Sequence, residues 1–293
     1  MLSLPPAMQA ALSSGVTQLA WCWLITRGDG ERLGFTDHDG VLEIDGVAGE
    51  PASGLVPGAI RSEAGSPARG AAFGAVSSDR ISAADIAKGL YDGARVEVWR
   101  VDWAAPETRV RVFTGEIGEI RRSGAGFEVE LAGLSARLNR RVGRVFSKAC
   151  DAELGDARCG VDVSASAFTG EGSVAEMAST ARFAAEGLDT YQPGWFAHGR
   201  LVWLTGANAG AAARVETHEL RGGAVQIALA GAPAFPLAPG DTFQIIAGCD
   251  GRAETCRTKF ANFARFRGCP HIPGNDVLIR HAGSEAVRDG GRR

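Results

Sequence analysis

The sequence predicts a mainly β chain of α+β type, and three observations carry that reading. Runs of alternating apolar and polar residues recur between residues 18 and 131 and again between 168 and 247. Turn signals interrupt them at short intervals, among them Gly28-Asp29-Gly30, Asp45-Gly46, Arg221–Gly223 and Pro239–Asp241. Four of the six cysteines form two short-range pairs that flank the second β segment. The expected organisation is an antiparallel β-rich domain over 1–145 and a small β-barrel inserted at 168–247. Residues 146–167 and 248–293 together would form a small helical and loop domain whose cysteines hold a metal.

Each element has a local reason. Residues 5–14 predict a short helix opened by proline and stopped by Gly15. A strand at Gln18–Thr26 and a second one ending at Phe35 follow, joined by the Gly28-Asp29-Gly30 turn. The polar run Thr36-Asp37-His38-Asp39-Gly40 leads into VLEI and the Asp45-Gly46 hairpin signal. Residues 47–80, rich in Gly, Pro, Ser and Ala, predict loops with short strands. Ser82-Ala83-Ala84-Asp85 has the pattern of a capping box and opens a helix to about Leu90. Arg95–Val101, Thr108–Phe113, Glu116–Arg121 and Phe127–Leu131 predict an antiparallel meander, with Phe127, Val129 and Leu131 inward and Glu128 and Glu130 in solvent. Leu134–Arg141 reads as a basic amphipathic helix.

In the second β segment, strands are expected at Phe168–Val174, Ala181–Ala184, Trp195–Leu204, Ala212–Leu220, Val225–Leu229 and Thr242–Ala247. Thr258–Ala264 predicts one or two helical turns. The polar tail 281–293 is expected to fray or to order on a partner.

Bulk properties exclude several function classes. A chain of 293 residues with 45% hydrophobic and 22% charged content can bury a sizeable core and make two or three compact units. A formal net charge of −3 argues against a protein that binds nucleic acid by neutralising phosphates. No apolar run approaches the roughly 20 residues that span a bilayer. The N-terminus lacks the basic stretch of a secretion signal. Six cysteines in so long a chain do not make a disulfide scaffold, so folding in a reducing cytoplasm is expected.

Cys150 and Cys159 have eight residues between them, Cys249 and Cys256 have six, and about ninety separate the pairs. Four thiolates permit zinc or an iron–sulfur cluster. Zinc knuckles hold two to four residues between ligands, so these wider loops favour a [4Fe–4S] cluster, with zinc as the alternative. Arg257, Lys259, Arg265 and Arg267 would balance the negative charge of such a core. Cys22 lies in an apolar strand and reads as packed core. Cys269, before Pro270, is the rival ligand and is placed outside the set of four.

Three stretches together resemble a known family. FTDHDG, GLYDGARVEVWRVDW and the Cys-x8-Cys … GCDGRAETC … FANFARFRGCPHIPG constellation resemble a phage tail-tip hub protein of the minor tail protein L type, in the form carried by gene transfer agents and related prophages. The resemblance spans nearly the whole chain, and the cysteine spacing is its specific part. It implies a virion structural protein that forms a homotrimeric ring at the tail tip, between the distal tail protein and the central tip or fibre protein. It also implies a [4Fe–4S] cluster on Cys150, Cys159, Cys249 and Cys256. This chain has Cys269 where the family commonly has an aromatic residue. The tape measure protein and a tail-associated peptidase are further candidate partners. Sequence-specific contact with nucleic acid is not expected.

The expected role is therefore structural, with no catalytic residues. The alternative is a zinc- or iron-dependent hydrolase acting on the host envelope, built on Asp37, His38 and Asp39. The plainer reading of those residues is a polar turn whose carboxylates cap backbone amides. Electron transfer through an exposed cluster is a third, minor reading. His198, His218, His271 and His281 show no metal-binding spacing.

Overall fold

The structure, a computed structural model, describes residues 3–51, 55–61, 69–74, 81–123, 126–133 and 143–272. The chain divides into two compact units, Met1–Val142 and Gly143–Arg293. The expected helix at Leu134–Arg141 and the tail 281–293 lie outside the described residues.

The first unit begins with helix α1 (Pro6–Ser14), which Gly15 ends in the left-handed conformation as the sequence implies. Strands β1 (Leu19–Thr26), β2 (Arg32–Thr36), β3 (Leu42–Ile44), β4 (Val47–Pro51), β5 (Leu55–Arg61) and β6 (Arg69–Gly74) follow. Helix α2 (Ala83–Ala87) precedes β7 (Arg95–Asp102), β8 (Arg109–Ser123) and β9 (Gly126–Gly133). They form one nine-stranded sheet in the order β3-β4-β2-β1-β7-β8-β9-β6-β5. Its pairings are antiparallel except for β2 with β4.

Strand β1 explains why this sheet has a core on each face. Ala20, Cys22 and Leu24 pack with Leu42, Ile44 and Val101 on one side. Trp23 and Ile25, pointing the other way, pack with Leu33, Phe35, Tyr91, Val96 and Val98. A strand buried on both faces needs a continuous apolar run, and LAWCWLIT is one. Cys22 is core, its thiol 3.4 Å from the Thr36 hydroxyl, which in turn donates to the Trp21 carbonyl. Asp45 (φ 51°) and Gly46 (φ 73°) make the tight turn between β3 and β4. In α2 the Ser82 hydroxyl accepts the Asp85 N–H, which caps the helix start.

One expectation fails in the meander. Thr108–Phe113 and Glu116–Arg121 are a single 15-residue strand, β8, not two strands with a turn between. Gly115 sits in mid-strand, where a Cβ would collide with the Ala132 carbonyl and the Phe113 ring. That glycine permits close backbone approach and does not mark a turn. Leu131 is buried and Glu130 exposed, as the alternation requires.

The second unit contains strands β10 (Thr169–Ser179), β11 (Arg182–Glu186), β12 (Arg200–Trp203), β13 (Ala212–Arg221), β14 (Ala224–Leu229) and β15 (Thr242–Ile246). They close into a six-stranded barrel in the order β10-β11-β14-β13-β12-β15, with β15 pairing back onto β10. Its interior is filled by side chains. Phe183, Trp203 and Phe243 meet with ring centroids 5.6–5.7 Å apart, surrounded by Leu201, Val215, Ile227 and Ile245. Residues Trp195–Gly199, expected within a strand, instead form turns ahead of β12. The helix expected at Thr258–Ala264 comes earlier, as α3 (Ala253–Thr258), followed by a 3₁₀ turn at Phe263–Arg265.

His218, on β13, is buried in this barrel edge-on to Phe196 at 5.1 Å. Burial holds its pKa below the ordinary value, and the Lys259 charge adds to the effect. The Gln192 backbone favours the charged form weakly, yet neither ring nitrogen makes a hydrogen bond of accepted geometry. Below about pH 6.5 the unfolded chain takes up a proton that the folded chain resists, so stability should fall as the medium is acidified through that point. His218→Phe should flatten this acid limb in thermal melts collected from pH 7 to pH 5, with little change at pH 7.5.

Candidate metal centre

The barrel's closure sets the site. Thr169 pairs with Ile246, so the chain enters and leaves the barrel side by side. Cys150 and Cys159 lie on the segment that leads in, Cys249 and Cys256 on the one that leads out. The exit is tight: a Cβ on Gly248 would strike the Ala197 carbonyl, so the residue before Cys249 must be glycine.

Each loop is held from within. In the first, Asp156 accepts the backbone N–H groups of Cys159 (2.6 Å), Arg158 (2.9 Å) and Glu153 (3.2 Å). The Cys159 N–H is the main reason its carboxyl titrates below the usual range. Arg144 and Arg158 both pair with Asp151. In the second loop, α3 carries Cys256, and the Gly251 N–H donates to Cys249 Sγ at 3.4 Å.

The two loops are also bonded to each other. Cys150 N–H donates to the Gly251 carbonyl at 2.8 Å, and Cys269 N–H to the Ser147 carbonyl at 2.8 Å. The Asn262 carboxamide donates to the Cys159 carbonyl at 2.8 Å and reaches its sulfur at 3.7 Å. Arg265 packs onto Gly160, whose φ of +67° and lack of a Cβ make room for the guanidinium.

Two of the four sequence-predicted thiols, Cys249 and Cys256, lie in perturbed surroundings. Burial raises the Cys256 thiol pKa, and the charges of Cys249, Cys150 and Cys159 raise it further. Burial raises Cys249 too, and Asp250, Cys150 and Cys159 act in the same direction against the Gly251 N–H. Cys269 is not among the groups that act on Cys256; with Cys150 it acts on Arg144. Among the described residues, no three His, Cys, Asp or Glu side chains converge closely enough to hold a single metal ion.

Comparison with known proteins agrees with this architecture. The family described as baseplate hub protein, N-terminal attachment domain, matches residues 5–162, more than half of the chain. This chain belongs to the baseplate hub protein family. Its place is the baseplate at the tip of a phage-like tail. A second family, the phage conserved hypothetical protein BR0599, matches residues 194–276, which include Cys249 and Cys256. A chain from the virion of a native gene transfer agent particle is similar at 40% identity. The match covers 98% of this chain and 99% of that one, with a TM-score of 0.86. No curated protein matches.

The Asp37-His38-Asp39 turn has a different character. Asp37 accepts the Trp21 N–H at 2.7 Å, and His38 Nδ1 accepts the Gly40 N–H at 2.9 Å. The His38 ring lies 5.2 Å from that of Trp103. Asp37 and His38 thus act as backbone caps within a turn. No helix among the described residues is long and apolar enough to cross a membrane.

Of the four cations named from sequence, Lys259 has an unexpected role. Its ammonium donates to the carbonyls of Trp195 and Gly248, the latter at 2.8 Å, and lies over the Trp195 ring at 4.8 Å. It edges a cleft of about 450 Å³ lined also by His198, Asp250 and Thr255. Desolvation brings its pKa down to about 8, against the opposing pull of Cys249 and Asp250. Asn262 and Asp156 were missed by sequence reasoning; an acidic residue three before Cys159 was the available signal for Asp156. Lys259→Met should leave the Gly248 carbonyl without its donor and the Trp195 carbonyl with the Gly248 N–H alone, and destabilise the second unit by about 1–3 kcal/mol. Hydrogen exchange should show the loss at the Trp195 and Gly248 segments first.

Proposed function

We propose that this chain is the structural hub of a gene transfer agent tail tip, a homotrimeric ring that links the distal tail protein to the central tip or fibre protein. The single observation that carries the proposal is 40% identity along virtually the whole length to a chain of a gene transfer agent virion. In this reading the chain is a mechanical connector and not an enzyme. Closed cyclic symmetry suits a ring around a channel, because each copy then satisfies its neighbours with one interface. Imaging of purified particles should resolve three copies of the chain per tail tip; six copies would contradict the ring assignment.

The same proposal includes a [4Fe–4S] cluster on Cys150, Cys159, Cys249 and Cys256. The donor set fits it. All four are cysteines, whose thiolates are soft donors suited to iron–sulfur ligation. A backbone N–H and a carboxamide already point at two of the sulfurs. When bound, the cluster supplies iron–thiolate bonds that contribute folding free energy. With four cysteine ligands no position is left for substrate, which is the mark of a structural site. The protein's own part is to hold the loops through the Cys150–Gly251 and Asn262–Cys159 hydrogen bonds and to surround them with arginines.

Protein purified without oxygen should contain about four iron atoms per chain, the content of the proposed cluster. Replacing any one of the four cysteines with serine should remove most of it, while Cys269→Ser should retain it. Elemental analysis with electron paramagnetic resonance of the reduced protein decides between iron and zinc. If Cys269→Ser alone empties the site, the ligand assignment is wrong.

A further inference from the structure

We propose that Asn262 is the positioning residue for Cys159, tying the first cysteine loop to the second and hydrogen-bonding the Cys159 sulfur. This rests on the reading of the four thiols as an iron–sulfur site. The carboxamide has two N–H donors. It spends one on the Cys159 carbonyl at 2.8 Å and directs the other at Cys159 Sγ, 3.7 Å away, across 103 residues of sequence.

The backbone around Asn262 is arranged for this reach. Its N–H donates to the Cys256 carbonyl at 2.9 Å, so one residue contacts a cysteine of each loop. Ala261, just before it, has φ of +49°, a left-handed conformation that a residue with a Cβ seldom adopts. That turn reverses the chain after α3. It lets the next three residues wind into the 3₁₀ turn that sends Arg265 onto Gly160. Residues 261–265 thus form a cap over Cys159-Gly160, with the amide on the sulfur side and the guanidinium on the adjoining backbone.

A hydrogen bond to a cluster thiolate withdraws electron density from sulfur and weakens the iron–sulfur bond slightly, while it also fixes the ligand's orientation. Cys249 receives such a bond from the backbone N–H of Gly251. Cys159 receives it from a side chain, so a substitution removes this bond, together with the one to the Cys159 carbonyl, without altering the backbone donor at Cys249.

The test uses the full-length chain reconstituted anaerobically with iron and sulfide, beside Asn262→Ala, Asn262→Asp and Ala261→Gly. Asn262→Ala should release its iron to a chelator several-fold faster and shift the iron–thiolate stretching bands seen by resonance Raman. Asn262→Asp has the same shape but no donor, and it should shift the bands at least as far. Ala261→Gly, which keeps the amide and accepts the left-handed φ, should match the parent chain.

Unchanged release rates and bands in both Asn262 variants would overturn the proposal. Faster release with unmoved bands would overturn its sulfur half and leave only a loop staple. If the parent chain binds no iron, the cluster reading fails, and Asn262 is then judged on the metal-free chain. A brief iodoacetamide pulse read by mass spectrometry should label Cys159 several-fold faster in Asn262→Ala than in the parent. Equal labelling would overturn the contact itself.

Discussion

The antiparallel pairing of β10 with β15 governs the second unit. It closes the barrel, and with Thr169 opposite Ile246 it delivers the preceding and following segments to one end. Bringing the ends of a flexible segment of about 80 residues together would by itself cost about 4 kcal/mol in chain entropy. The barrel meets that cost with its own core of Phe183, Trp203, Phe243 and their aliphatic neighbours. The cysteine loops therefore start from ends that are already adjacent. The Cys150–Gly251 hydrogen bond and the Phe168 ring, 5.2 Å from Phe260, extend the same junction.

Electrostatics at the junction depend on where its cations are engaged. Burial raises the Cys249 and Cys256 thiols, and the neighbouring thiols act in the same direction, which nearby positive charge would oppose. Lys259 does not supply it, because its ammonium is turned to the Trp195 and Gly248 carbonyls, and Arg144 and Arg158 are engaged with Asp151. Binding metal to such thiols must displace protons, so uptake strengthens as pH rises. The loop carboxylate Asp156 spends its charge on backbone amides and holds the shape of the Cys150–Cys159 turn.

Much of the fold was legible in the sequence because its strands obey local rules. The apolar run of β1 placed Cys22 in the core, Asp45-Gly46 marked a hairpin, and proline and glycine bracketed α1. Two of the errors share one cause. At Thr114-Gly115-Glu116 and at Trp195–Gly199, glycine can signal either a turn or a close backbone contact, and only the neighbouring strand decides between them. The misplaced helix near Cys256 came from weighting residues 258–264 over the acidic Glu254 in the true first turn.

What the sequence determined alone was the β-rich class, the two cysteine pairs and the family likeness, since composition, period and spacing are properties of short windows. Only the tertiary structure decided that β2 and β4 run parallel, that Lys259 clamps the barrel's rim, and that Asn262 lies on Cys159. Each of these joins residues whose proximity comes from strand pairing or barrel closure, and no short window of sequence records a distance across 103 residues.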